Sequence, residues 1–259
     1  MATIDEEARG LLTELPSPLR YGGQDLDPAE STAMIASMIP SGSRVLDVGC
    51  GTGSVSRLII DACNCTVLGL EPDADRAAVA VSNGVDVIGT ELTEELISQL
   101  GLFDVVLFAD VLEHLVDPFE MLRLAQRFLL VGGAIVASLP NIAHWTVRLN
   151  LLRGRFDYQP VGIMDATHLR WFTRRSLYRL FTQAGYRVAE TKASAGMWME
   201  VYQAPPWRWI PRRVLRKLLH GAAQAWPTLF GCQYVVRAEF ETQQSAENLT
   251  RCRPSVVND

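Results

Sequence analysis

Long apolar runs are missing from this chain of 259 residues. No stretch reaches the roughly 18 uninterrupted apolar residues that a bilayer-spanning helix needs. The acidic start, Met1 to Gly10, has neither the basic flank nor the apolar stretch of a secretory leader, so the expected compartment is the cytoplasm. Paired cysteines are missing as well: Cys50, Cys63, Cys65, Cys232 and Cys252 are an odd, scattered set without C-x-x-C spacing. That argues against a disulfide framework and a structural zinc cage, and for idle thiols in a reducing compartment. In that compartment the sequon Asn248-Leu249-Thr250 would meet no glycosylation machinery. A broad positive surface is absent too. Six basic and no acidic residues lie between Val201 and Ala238, which leaves 18 basic against 29 acidic elsewhere within a net charge of −5. An acidic body of this kind excludes a general nucleic-acid binder, whose duplex footprint is basic.

What is present is alternation. Apolar runs of strand length (Val45–Val48, Thr66–Leu70, Val85–Ile88, Phe103–Phe108, Ala134–Leu139) alternate with segments of helical period (Ser54–Ala62, Asp73–Ser82, Leu92–Leu100, Asp117–Leu130). This is the pattern of βαβ units and a parallel sheet, an α/β doubly wound fold. Asp73 and Asp117 are expected N-caps, with Pro118 at a first helical position. A helix over Pro28–Met38 precedes this core; a helix over Ser176–Ala184 capped by Thr173 and strands at Tyr186–Glu190 and Tyr234–Phe240 follow it. The expected organisation is an N-terminal helical cap over 1–40, a core over 41–193 containing an insert at 140–173, a basic insertion over 194–233, a last strand over 234–241 and a frayed tail over 242–259.

Val45-Leu46-Asp47-Val48-Gly49-Cys50-Gly51-Thr52-Gly53 runs a buried strand into a glycine-rich turn at a helix start, where free amides face a ligand. Glu71 ends the next strand, 18 positions after Gly53, where a carboxylate can accept from both ribose hydroxyls. Gly89-Thr90-Glu91-Leu92 ends the third strand in reach of an adenine, and Asp110 ends the fourth beside the crevice. Over roughly 21–188 the chain resembles class I S-adenosylmethionine (SAM)-dependent methyltransferases. That resemblance implies a Rossmann-like, mostly parallel seven-stranded sheet. It also implies a SAM site in which Asp47, Gly49, Cys50, Gly51 and Gly53 surround the methionine part, Glu71 and Pro72 the ribose, Glu91 and Leu92 the adenine, with Asp110 at the edge. A dinucleotide oxidoreductase ranks far below, because Ser54 stands where the third glycine of G-x-G-x-x-G would fall.

On the acceptor side, a helical turn opening at Asp110 would put Glu113 and His114 on its face, a trio able to hold a divalent metal or support a base, or merely a satisfied polar turn. No metal is assigned on this reading. The segment Leu139-Pro140-Asn141-Ile142-Ala143-His144-Trp145, continuing to Asp165-Ala166-Thr167-His168-Leu169-Arg170-Trp171-Phe172-Thr173, is similar to a bacterial methyltransferase subgroup of glycan and secondary-metabolite pathways. The expected reaction is O-methylation of a sugar or other small-molecule hydroxyl. His144 or His168 is the expected base, with His114 third, since imidazole titrates near neutrality. Asp165 would orient a histidine or bind a hydroxyl, and Arg148, Arg155 or Arg170 would hold an acidic substrate or merely be solvated. The alternatives are C- or N-methylation, or a non-catalytic accessory role, because the chain also resembles methyltransferase-fold partners of homoserine acylation in methionine biosynthesis.

Pro205 to Pro227 places Arg208, Arg212, Arg213, Arg216, Lys217 and His220 on one half of a helical wheel. Ile210, Val214, Leu215, Leu218, Leu219 and Ala222 fill the other half, with Trp207, Trp209 and Trp226 at the ends. Packing on the body or a homodimer is the favoured expectation for this insertion, and peripheral contact with an anionic membrane the alternative.

Overall fold

The computed structural model describes residues 26–240. The expected acidic start, the frayed tail, Cys252 and the sequon lie outside them. Seven strands form one sheet: β1 (Arg44–Val48), β2 (Thr66–Leu70), β3 (Asp86–Ile88), β4 (Phe103–Ala109), β5 (Leu129–Pro140), β6 (Tyr186–Ala193) and β7 (Gln233–Phe240), in the order β3-β2-β1-β4-β5-β7-β6. Strands β1 to β5 are parallel, and β7 runs antiparallel to both β5 and β6. Strand order reverses between β1 and β4, which opens a crevice at their carboxyl ends, where ligands bind in such sheets.

The helices are α1 (Ser31–Met38), α2 (Ser54–Cys63), α3 (Ala74–Ser82), α4 (Ile97–Leu100), α5 (Pro118–Gln126), α6 (Trp145–Leu152), α7 (Arg174–Gln183), α8 (Glu200–Gln203), α9 (Arg212–Ala225) and α10 (Pro227–Phe230). Alternation along the central strands gives the sheet two buried faces. Leu46, Val106 and Phe108 pack with Leu122 of α5 and Phe181 of α7, while Val45, Val105 and Leu107 pack with Ile35 of α1 and Ile59 of α2. Asp73 caps α3 through Arg76 N, and Asp117 caps α5 through Phe119 N and Glu120 N. Thr173 and Ser176 form a reciprocal cap on α7. The helix expected to reach Leu130 ends at Gln126, because β5 already pairs with β4 at Leu129.

Two inserts depart from a bare sheet. The 140–173 segment contains α6, which begins at Trp145 and leaves Leu149, Leu151 and Leu152 exposed. The basic insertion packs on the body: Leu215 and Leu219 of α9 are buried with Ala29, Ala195, Met197 and Tyr202, and Arg216 pairs with Asp27 at 3.2 Å. Val214, Leu218, Trp209 and Trp226 stay exposed, so only part of the expected apolar face is covered. No helix among the described residues is long and apolar enough to cross a membrane.

Gly53 caps α2 with φ +71°, and a Cβ there would stand 3.0 Å from both Ala80 Cβ and Val85 Cγ2. Gly53→Ala is expected to lower stability by at least the roughly 1–2 kcal/mol of a left-handed alanine, with crowding added. Urea denaturation of both proteins measures the difference.

Candidate active site

A cavity of about 600 Å³ opens at the carboxyl edge of β1, β2 and β4, a size usual for small-molecule clefts. Its first wall is the turn after β1. Gly49 N and Cys50 N both donate to Leu70 O (2.7 and 3.1 Å), and Gly51 N donates to Glu71 Oε2 at 2.9 Å. Asp73 N donates to Glu71 Oε1 at 3.0 Å, with Arg76 Nε 3.5 Å from the same oxygen. Glu71 is thereby fixed at 2% exposure, and each oxygen keeps a lone pair for a further donor. Gly51, at φ +57°, has nothing within 4 Å of a built Cβ; a side chain there would enter the cavity.

Asp47 is buried on the same wall. Ser56 Oγ donates to its Oδ2 at 2.5 Å, and Oδ1 has no hydrogen-bond partner among the described residues. Burial, against the Ser56 hydrogen bond and with the help of the Glu71 charge, raises its carboxyl to about 7. A buried carboxylate oxygen without a donor is costly, and a cationic ligand group would relieve it. Open space at Gly51, Glu71 set for a diol and Asp47 set for a cation fit a nucleoside carrying a positively charged arm.

Asp47, Gly49, Cys50, Gly51, Glu71, Pro72 and Asp110 line the cavity. Gly53 does not; it sits behind the turn against α3. Glu91 is exposed and Leu92 is buried in the core, and neither is part of the lining. Arg148, Arg155 and Arg170 also lie outside it, and Arg148 and Arg170 are spent on backbone carbonyls. The arginine at the cavity is Arg76.

The opposite wall is formed by Glu113, His114, Thr167 and His168. Leu169 N and Arg170 N donate to Glu113 O at 2.8 and 2.9 Å, stitching the insert onto the turn after β4. Asp165 is fully buried and outside the lining; its Oδ1 accepts from Thr167 N (2.8 Å) and Thr167 Oγ1 (2.6 Å). His114 Nδ1 lies 3.1 Å from Thr167 O and 3.2 Å from Thr167 Oγ1. Because the Thr167 hydroxyl proton is committed to Asp165, both are acceptors, and His114 carries its proton on Nδ1. Asp165 thus orients a histidine through Thr167. The expected Asp110 face does not form: Asp110 has φ +55°, binds Ser138 Oγ and Gln233 Nε2, and the following turn, Leu112–His114, is 3-10. Burial, and then the nearby charges of Asp110 and Asp165, raise the Glu113 carboxyl well above the usual range.

The structure separates His144 from the other two histidines. Its ring caps α6, accepting from Thr146 N, with Nδ1 2.8 Å from Thr146 Oγ1 and Nε2 3.5 Å from Tyr202 OH; it is not part of the lining. Residues unnoticed in the sequence reach the cavity instead: Arg76, Ile163, Trp198 and Gln233. None belongs to a local motif. Gln233 was within reach of a topological argument, since it opens the strand that pairs with Pro140.

Burial lowers the His144 imidazole from 6.5 to about 4. The unfolded chain therefore takes up its proton first as pH falls. The stability this ring contributes is complete above pH 6.5 and is lost toward pH 4, at up to about 1.4 kcal/mol per pH unit. The stability gap between wild type and His144→Gln should be wider near pH 7.5 than near pH 5, as read by denaturant titration. A gap that does not change with pH would contradict a neutral, buried ring.

Similarity to known proteins agrees with this geometry. Residues 29–209 match the family described as methionine biosynthesis protein MetW. A ubiquinone biosynthesis O-methyltransferase of Pseudomonas entomophila is 32% identical over 123 residues, covering 45% of this chain and 53% of the relative. One from Ruegeria pomeroyi is 27% identical over 176 residues, 65% and 67% of the two chains. The chain therefore spans about half to two thirds of these relatives. A SAM-dependent methyltransferase from Archaeoglobus fulgidus has the same fold, with TM-score 0.54 at 20% identity over 81% of this chain and 94% of that one. Of the two narrower resemblances seen in the sequence beside the class I one, the family match falls on the methionine-biosynthesis one, and it spans the glycine-rich turn, both cavity walls and the start of the basic insertion: the chain belongs to the MetW family, on a class I methyltransferase fold.

Proposed function

We propose that this protein is a SAM-dependent methyltransferase acting on a small-molecule hydroxyl. The observation that carries the reading is the pairing of walls across one cavity, Asp47 and Glu71 on one side and Glu113, His114 and His168 on the other. Bound against the first wall, SAM supplies an electrophilic methyl group on a positively charged sulfur. Glu71 would accept from the ribose hydroxyls, and the open Oδ1 of Asp47 would take the charge of the cationic arm. On the second wall the acceptor oxygen loses its proton to the histidine–carboxylate cluster, with His168 first and His114 second, as its bond to the methyl carbon forms and the sulfur–carbon bond breaks. His144 leaves this list because it sits in a cap. The O-methyltransferase names of the Pseudomonas and Ruegeria relatives support a hydroxyl acceptor, and a glycan or natural-product acceptor is the proposed class.

The MetW match favours a second reading, an accessory protein of methionine biosynthesis that holds the nucleotide without turnover. Methyl-labelled SAM with cell-derived small molecules separates the two. Glu71→Ala should weaken S-adenosylhomocysteine binding by the roughly 1–3 kcal/mol of a lost charged acceptor, about 5–150-fold, and Gly51→Trp should abolish it. His168→Ala should lower turnover 10²–10⁴-fold (order of magnitude) with cofactor affinity nearly unchanged. Tight NAD binding with no response to the methionine nucleotide would end the methyltransferase reading.

For the basic insertion we propose that the exposed side of α9, with Trp209 and Trp226 at its ends, meets an anionic membrane surface. Vesicle sedimentation at low salt should show binding to anionic but not neutral lipid. A dimer lost on deleting 207–226 would replace this with self-association.

A further inference from the structure

We infer that Glu113, His114 and His168 form a binding site for one divalent transition-metal ion. One ligand atom from each of the three lies within 4.8 Å of the others. The imidazoles meet edge to face with centroids 4.8 Å apart, and His168 Nε2 is 4.0 Å from Glu113 Oε1. Glu113 is fully buried, and neither of its oxygens has a hydrogen-bond partner among the described residues. Such a carboxylate requires a proton or a cation close by.

The surroundings of the rings favour the cation. His168 Nδ1 lies 3.2 Å from Ile163 O, and His114 Nδ1 is held by the acceptors of Thr167. A ring that gives its Nδ1 proton to a backbone carbonyl carries its lone pair on Nε2, the arrangement found around metal-bound histidines. Asp165 extends the same support outward through Thr167. Asp110, grouped with Glu113 and His114 in the sequence, is not part of this cluster and its Oδ1 accepts from Ser138 and Gln233, so the set is two imidazoles and one carboxylate. That donor set suits Zn²⁺, Co²⁺, Fe²⁺ or Mn²⁺ better than Mg²⁺ or Ca²⁺. Tetrahedral ligand atoms at bond lengths of about 2.0–2.1 Å stand about 3.4 Å apart. Loading therefore draws the cluster in by about an ångström, within reach of a Glu113 rotation.

All three residues face the cavity, so the open coordination positions of the ion point at the acceptor. Its role there rests on the methyltransferase reading and, in the loaded protein, replaces that of the histidines as base, because their free nitrogens are then bound to the ion: the acceptor hydroxyl binds as a ligand, becomes more acidic and gives its proton to solvent as the oxygen takes the methyl group. Metal binding itself does not depend on that reading.

The test is titration of the chelator-stripped full chain with Co²⁺, followed by visible d–d absorption, and with Zn²⁺ by calorimetry. One equivalent should bind. His168→Ala and Glu113→Gln should each weaken binding by more than the roughly 10–100-fold lost with an outer-shell partner, and Thr167→Val by about that factor, while His220→Gln leaves it unchanged. Retained S-adenosylhomocysteine binding certifies that each variant is folded. A chain that binds S-adenosylhomocysteine but takes up neither ion, or whose affinity survives both ligand substitutions, overturns the metal site and leaves the methyltransferase reading standing. Metal uptake through the trio by a chain that ignores both nucleotides does the reverse.

Discussion

The hydrogen bond from the Gly51 amide to the Glu71 carboxylate is the constraint on which the cofactor wall depends. It joins the turn after β1 to the end of β2, and the second oxygen of Glu71 is tied to the cap of α3 through Asp73 N. Two sheet strands and one helix therefore converge on a single carboxylate. The group is rigid before any ligand arrives, so the ordering cost of binding falls mostly on the ligand. The same convergence places a negative charge beside Asp47, whose Oδ1 in turn has no donor among the described residues. The wall is built for positive charge at one point and hydroxyl groups at another.

The second wall depends on a different kind of tie. The amides of Leu169 and Arg170 end on the carbonyl of Glu113, so a loop more than fifty residues downstream is clamped by backbone to the turn after β4. Backbone ties of this sort place no demand on side-chain identity, leaving His114, Thr167 and His168 available for chemistry. Asp165 does its work two bonds away, by claiming the Thr167 proton.

The difference between the walls explains what could be read in advance. Asp47, the glycines and Glu71 are fixed by short spacings and by strand ends, and these survive in a linear sequence. So do the caps at Asp73, Asp117 and Thr173, since each is local. The meeting of His168 with Glu113 is a long-range event that no spacing encodes, and Asp110 looked like its companion only while a regular helical turn was assumed. The acceptor insert was expected to be helical or loop, but the bounds of α6 were not legible because its leucines at 149, 151 and 152 are exposed and leave no buried stripe. The place of His144 was not legible for a chemical reason: an imidazole nitrogen can cap a helix as a carboxylate does, and nothing in the residue type tells cap from base. Glu91 and Leu92, which the family resemblance puts beside the adenine, are not in the lining of the cavity.

The position of β7 has a consequence for synthesis on the ribosome. It is inserted between β5 and β6, pairing Pro140 with Gln233 and Ala193 with Tyr234. Until that last strand emerges, β5 offers an unpaired edge from Gly133 to Pro140 that is apolar but for Ser138, and β6 has no neighbour in the sheet among the described residues. A nascent chain stalled inside the basic insertion would hold a half-finished sheet whose open edge invites other strands. The packing of α9 against Ala29 and Tyr202 can form before β7 exists. The insertion can therefore shorten the search of β7 for its slot, acting as a scaffold during translation as well as a surface afterwards.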